Sequence, residues 1–238
     1  RGRVGGRRHD DRLAAVADSF AGVRVDWALD RGEKRLLGKM VGAANRLRFE
    51  HQPFHEELYR NLRFTKSDTS ETGDGLDVTT LQLAPGVISV LKFMRPWRRL
   101  RMSNALGFSR LIGRQARCEA HACGALGILT VEDSEADWFL SGGRAFQRLW
   151  LTATSMNVGL HPAAALPVFL TYADRADRAR LPSHHSQTVD ELKAMFDARY
   201  PRLRGRTVQM LFRLGYAERP ARRSLRRPAE IICNDSAP

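Results

Sequence analysis

Gly124-Ala-Leu-Gly-Ile-Leu-Thr-Val131 is a continuous apolar run of strand length. Its composition predicts a strand buried on both faces. Downstream, Arg144–Val158 is the clearest helix, with Ala145, Leu149, Thr152, Ala153 and Met156 on one face. Gly159 is expected to end it in a left-handed conformation, and His161-Pro162 forbids continuation. Thr188–Ala198 predicts a second helix, with Thr188 as N-cap and Glu191 completing a capping box. Arg206–Gly215 predicts a strand with Val208, Met210 and Phe212 alternating onto one face.

Upstream, Asp11–Phe20 reads as a helix and Val23–Trp27 as a strand. Asp30 caps a long helix carrying Leu36, Leu37, Met40, Val41, Ala44 and Leu47 at helical spacing. Phe54–Leu62 is a further helix, Thr65–Asp77 a polar loop, and Val87–Met94 a short helical or extended piece. Ser103–Gln115 is helical, with a weak boundary near Ser103. This order predicts an α+β fold, not a doubly wound sheet.

The 238 residues include 43 % hydrophobic residues, 11 Phe and 4 Trp, which excludes a mainly disordered chain. No apolar stretch reaches the ~18 residues of a transmembrane helix, so no membrane partner is expected. Three Cys cannot build a disulfide scaffold, and a cytoplasmic location is expected. The formal charge is +13, almost all from Arg, which attracts polyanions. The arginines are spread along the chain, with denser runs at Arg1–Arg12, Arg95–Arg101, Arg199–Arg206 and Arg219–Arg227. A general bias toward Arg explains such scatter, so nucleic acid is disfavoured as a partner. Residues 1–10 read as a basic linker or tail, and 11–238 as one domain in the C-terminal piece of a longer protein.

Cys118, His121 and Cys123 give C-x2-H-x-C without an adjacent fourth ligand, so no metal site is assigned. His184-His185 reads as a solvated loop pair. No GxSxG, HExxH or Gly-rich phosphate loop occurs, and no side chain is assigned a catalytic role. Pro220 to Pro228 holds Arg222, Arg223, Arg226 and Arg227, whose guanidinium forks suit phosphate oxygens.

Gly143-Arg-Ala-Phe-Gln-Arg-Leu-Trp-Leu-Thr-Ala-Thr154, Gly159-Leu-His-Pro162, Leu211-Phe-Arg-Leu-Gly215 and Pro220–Pro228 together resemble the C-terminal half of the nitroreductase family. Asn45-Arg-Leu-Arg-Phe49, His55–Phe64 and Asp74-Gly75-Leu76-Asp77 resemble a divergent branch, sometimes fused behind an adenylation-type domain. The resemblance implies a mixed sheet flanked by helices, N-terminally incomplete here. It implies a homodimer with FMN at the subunit interface, NAD(P)H as reductant and a small-molecule electron acceptor. Gly159, Leu160, His161, Pro162, Ala163 and Ala164 would pass beside the flavin ring, with backbone N–H groups facing it. Arg223, Arg226 and Arg227 would hold the FMN phosphate. The family's N-terminal Arg-Arg-Ser and Asn segments are missing, and Ala163-Ala164 replaces a Glu-Gly pair beside the flavin. Two alternatives therefore stay open: a flavin-sequestering protein without catalysis, and a basic nucleic-acid-binding protein.

Overall fold

The computed structural model describes residues 7–81, 83–84, 86–173 and 181–218. The fold is α+β. The described residues fall into two compact units, 7–51 with 103–173 and 181–218, and 52–102.

The larger unit begins with α1 (Arg7–Asp18) and β1 (Arg24–Ala28). Asp30 then caps α2 (Arg31–Glu50) as the sequence predicts, its Oδ1 accepting from Glu33 N–H at 2.9 Å. The predicted core strand is β4 (Ala125–Val131), and all seven residues are buried. It lies inside a four-stranded sheet of order β1-β4-β6-β5, antiparallel throughout, where β5 is Gly159–Pro162 and β6 is Thr207–Gly215. Alternation along β4 sends Ala125, Leu129 and Val131 to one face, where Leu13, Ala145, Leu149, Ala153 and Phe212 meet them. Trp27 meets Phe212 edge-on and Phe146 meets it tilted, each 5.5 Å between centroids. The long helix on this face is α8 (Ala136–Ser155).

β6 does not alternate as the sequence predicts. A bulge at Gln209 shifts the register, so Met210 pairs with Leu129 but Val208 pairs with Thr130. Val208 therefore leaves the face that holds Met210 and Phe212.

The smaller unit carries α3 (Gln52–Asn61), β2 (Leu62–Arg63), α4 (Lys66–Thr72), β3 (Leu76–Asp77), α5 (Val87–Met94) and most of α6 (Trp97–Ala105). β2 and β3 pair in parallel. Tyr59, Leu62 and Val78 make its core, and Tyr59 Oη donates to Leu91 O at 2.8 Å. Part of the predicted polar loop 65–77 is helical. Thr65 and Asp68 close a reciprocal capping box, and Gly73 ends the helix at φ 61°.

Three further boundaries move. The chain breaks at Gly107 (φ 93°), and α7 runs Phe108–Ala122. The left-handed residue after α8 is Asn157 (φ 55°), while Gly159 is already in β5. The last helix, α10 (Ser183–Arg199), starts five residues before Thr188. Thr188 is thus an interior residue whose Oγ1 donates to His184 O at 3.0 Å, and not an N-cap.

Among the described residues no helix is long and apolar enough to cross a membrane.

Candidate functional site

The stretch 159–164 forms the edge strand β5 and the link into α9 (Ala165–Ala173). His161 lies opposite Arg213 in the β5–β6 ladder, and Ala163 N–H donates to Leu211 O at 2.7 Å. The stretch expected as a turn is thus strand over Gly159–Pro162. Antiparallel alternation commits Gly159 and His161 to the same ladder, and Pro162 has no N–H. The donors left are Leu160, on the open side of the edge strand, and Ala164, Ala165 and Leu166 in and before the first turn of α9, which have no intrahelical acceptor. Pro167 adds none.

His161, Pro162, Ala163 and Ala164 line a cavity of about 180 Å³ with Val41, Asn45 and Arg48 of α2, Ala116, Glu119 and Ala120 of α7, and Arg213. Gly159 and Leu160 do not reach it. Leu160 packs on the core, and Gly159 lies against Gly215 O. Arg223, Arg226 and Arg227 lie outside the described residues.

A polar chain crosses the cavity wall. Arg213 Nη1 donates to Glu119 Oε2 at 2.8 Å, and Arg213 Nη2 lies 3.1 Å from His161 Nδ1. A guanidinium cannot accept, so Nδ1 accepts and the imidazole proton sits on Nε2. Burial, with Arg213 next, holds His161 below its usual pKa against the opposing Glu119. Nε2–H is therefore the donor that this side chain has to offer. Sequence reading missed Arg213, Glu119, Asn45 and Arg48 as cavity residues. Arg213 had one available signal, its place on a strand beside an edge histidine.

The other sequence candidates fall elsewhere. Cys118 is exposed, and Cys123 Sγ bonds Ala120 O and Ala125 O at 3.0 and 3.2 Å. Burial pushes the Cys123 thiol pKa up, which disfavours the nucleophilic thiolate. Among the described residues no group of three His, Cys, Asp or Glu is placed to hold a metal. His184 and His185 are not a solvated loop pair. They open α10, His185 is 3 % exposed, and its ring sits 3.9 Å from His184 and 5.5 Å from His51.

A larger cavity of about 320 Å³ opens at the other end of β6 against Phe139, Phe196 and Val208. Its charged groups are already engaged. Lys193 Nζ meets Asp197 Oδ2 at 2.6 Å, and Arg206 holds Thr130 Oγ1 and Gly22 O.

No family model matches the sequence, and no solved structure matches it. The chain is similar to an uncharacterized protein of Mycobacterium tuberculosis, 27 % identical over 212 residues, which are 89 % of this chain and 29 % of that protein. The chain therefore spans less than a third of the length of the curated relative it matches.

Proposed function

We propose that the chain is the C-terminal portion of a nitroreductase-like, FMN-dependent NAD(P)H oxidoreductase that works as a homodimer. The observation that carries this reading is the convergence, at one cavity, of 161–164 with the start of α9 and the Arg213–Glu119 pair.

The donor set suits a flavin. The first turn of α9 presents backbone N–H groups and the positive end of the helix dipole, which favour negative charge. His161 adds its Nε2 proton, and Glu119 keeps Arg213 from swinging into solvent. The cavity volume fits only one end of the group, because whole ligand pockets start near ~300 Å³. A second surface must cover the rest. The outer face of α8 exposes Leu140 and Leu151, and we assign it to the contact with a second copy, although it lies across the sheet from the cavity and the cover over the flavin must come from another part of that copy. Arg223, Arg226 and Arg227 are assigned to the phosphate. A bound flavin would carry electrons from NAD(P)H to a nitro, quinone or related acceptor. The adenylation-type domain expected upstream belongs to the same proposal.

The test is a titration of the purified chain with FMN, followed by flavin absorbance and fluorescence, then NAD(P)H oxidation with a quinone or nitroaromatic acceptor. Saturable binding weakened at least tenfold by Arg213→Gln supports the site. Failure to bind added FMN overturns it. Ala163-Ala164 in place of Glu-Gly favours a second reading, flavin sequestration, which predicts binding without turnover.

A further inference from the structure

α2 and α7 pack antiparallel, and glycines set their contact. A Cβ on Gly42 would sit 2.7 Å from Gly113 O, and a Cβ on Gly113 2.7 Å from Gly42 O. Gly38 lies against Arg117 and Ala120, and Phe49 against Phe108, so the pair runs closely along its length. The cavity residues Val41, Asn45 and Arg48 on α2 and Ala116, Glu119 and Ala120 on α7 all lie to one side of this contact line.

On the other side are cations. Arg35, Lys39 and Arg46 share one line on α2 at i, i+4 and i+11, and Arg110, Arg114 and Arg117 share one on α7 at i, i+4 and i+7. Each is offset from the glycine contact in the sense opposite to the cavity residues. Because the helices are antiparallel, that sense places both lines on one surface. All six residues are exposed. The α2 line runs about 16 Å at ~1.5 Å per residue.

This surface has little counter-charge. Glu50 takes Arg46 Nε at 2.7 Å at the end of α2. Glu119 is turned to the cavity side by Arg213. Among the described residues Arg35, Lys39, Arg110, Arg114 and Arg117 make no ion pair. The sequence adds a second sign. α7 carries no acidic residue before Glu119, and Arg110, Arg114 and Arg117 all lie in that part of it.

We propose that the α2–α7 face binds the phosphodiester backbone of double-stranded nucleic acid without reading bases. Its cations are five Arg and one Lys, and guanidinium forks pair bidentately with phosphate oxygens. The apolar stripe of α2 is buried, and on α7 Leu111 is the one large apolar residue strongly exposed, a single side chain and not the continuous apolar face that a lipid interface takes. It presents no aromatic platform for single-stranded bases. What remains is an exposed double row of charge, which suits a duplex backbone. The inference does not depend on the flavin reading.

The test uses the full chain and a fluorescein-labelled 20-base-pair DNA duplex of mixed sequence, with anisotropy read across salt concentrations. Five unpaired cations predict a log–log salt slope of about −4 to −5. R110E/R114E/R117E is expected to weaken binding more than 100-fold and to flatten the slope by about three. R98E/R99E/R101E removes the same charge from α6 and is expected to keep the slope. The milder R114Q, which preserves folding, is expected to lower it by about one. Absence of binding at 50 mM salt overturns the proposal. So does equal loss from both triple variants, which marks diffuse attraction. Binding to anionic lipid vesicles with no binding to the duplex overturns it as well.

Discussion

On the cavity side of the α2–α7 pair, Arg213 is held by Glu119 and turned toward His161. On the outer side, Arg114 and Arg117 face solvent with no carboxylate partner among the described residues. The same residue type behaves in two ways because only one side brings in a third element. β5 and β6 supply His161 and Arg213 and close the cavity, while nothing in the larger unit's sheet reaches the outer side. A paired arginine shapes a small site for one ligand, whereas unpaired arginines create a field that any polyanion feels.

The largest expected effect comes from removing the contact that defines both sides. Gly113→Val puts side-chain atoms where Gly42 O already is, so the helices must separate. Overpacking of this kind costs about 3 kcal/mol or more, and differential scanning fluorimetry should show Tm falling by about 10 °C. A neutral result would mean that the helices are not in contact there.

Next is the histidine group beyond the end of α2. Burial first, then His184 and His51, lowers the His185 pKa to about 4, with Glu50 opposing. The unfolded chain, near 6.5, takes up the proton first. The contribution is therefore intact above about pH 6.5 and is lost as pH falls toward 4, by up to ~3 kcal/mol. Denaturant melts between pH 7 and pH 4.5 should show this loss, and His185→Leu should make the acid limb shallower. An unchanged acid limb in that variant would place the titration elsewhere.

Smaller effects separate the two sides. Arg213→Gln removes a partly exposed ion pair and should cost less than ~1 kcal/mol. It should nevertheless raise the His161 pKa, because Arg213 depresses it, with burial still holding it below the usual value. An NMR titration of the imidazole reads this directly, and a pKa that falls would contradict the assigned contact. Lys39→Gln on the outer side should leave stability within ~0.5 kcal/mol. A larger loss would show that this exposed lysine supports the fold.

The core was legible in the sequence where local chemistry and burial agree. The run 124–131 is strand because it is apolar on both faces. Asp30 marks a helix start because its carboxylate reaches Glu33 N–H. Elsewhere a tertiary contact overrode the local signal. The helix expected from Arg144 already starts at Ala136, and Gly142 inside it stands where a Cβ would collide with Gln209 and Val131 of the sheet. The bulge at Gln209 splits an alternation that the residues alone make continuous. The stretch 161–164 could be singled out by resemblance, but its wall partners could not, since α2 and α7 lie far from it in sequence. The outer cations were the least legible. Arg46 and Arg110 read as scattered charge until antiparallel packing aligns them.

One further feature concerns how the chain leaves and re-enters the larger unit. Asn104 Nδ2 donates to Phe49 O at 2.7 Å, and Ser109 Oγ to Glu50 Oε1 at 2.7 Å. The excursion from 52 to 102 is thus pinned shut at its base by bonds that belong wholly to the larger unit. Topologically it is a graft on a helical hairpin. A short linker from His51 to Ser103 would turn α2 and α7 into an ordinary αα-hairpin while keeping both rows of side chains in place. Loop-closure entropy grows only slowly with length, so insertions and deletions can accumulate at this single point without disturbing the helices that frame it.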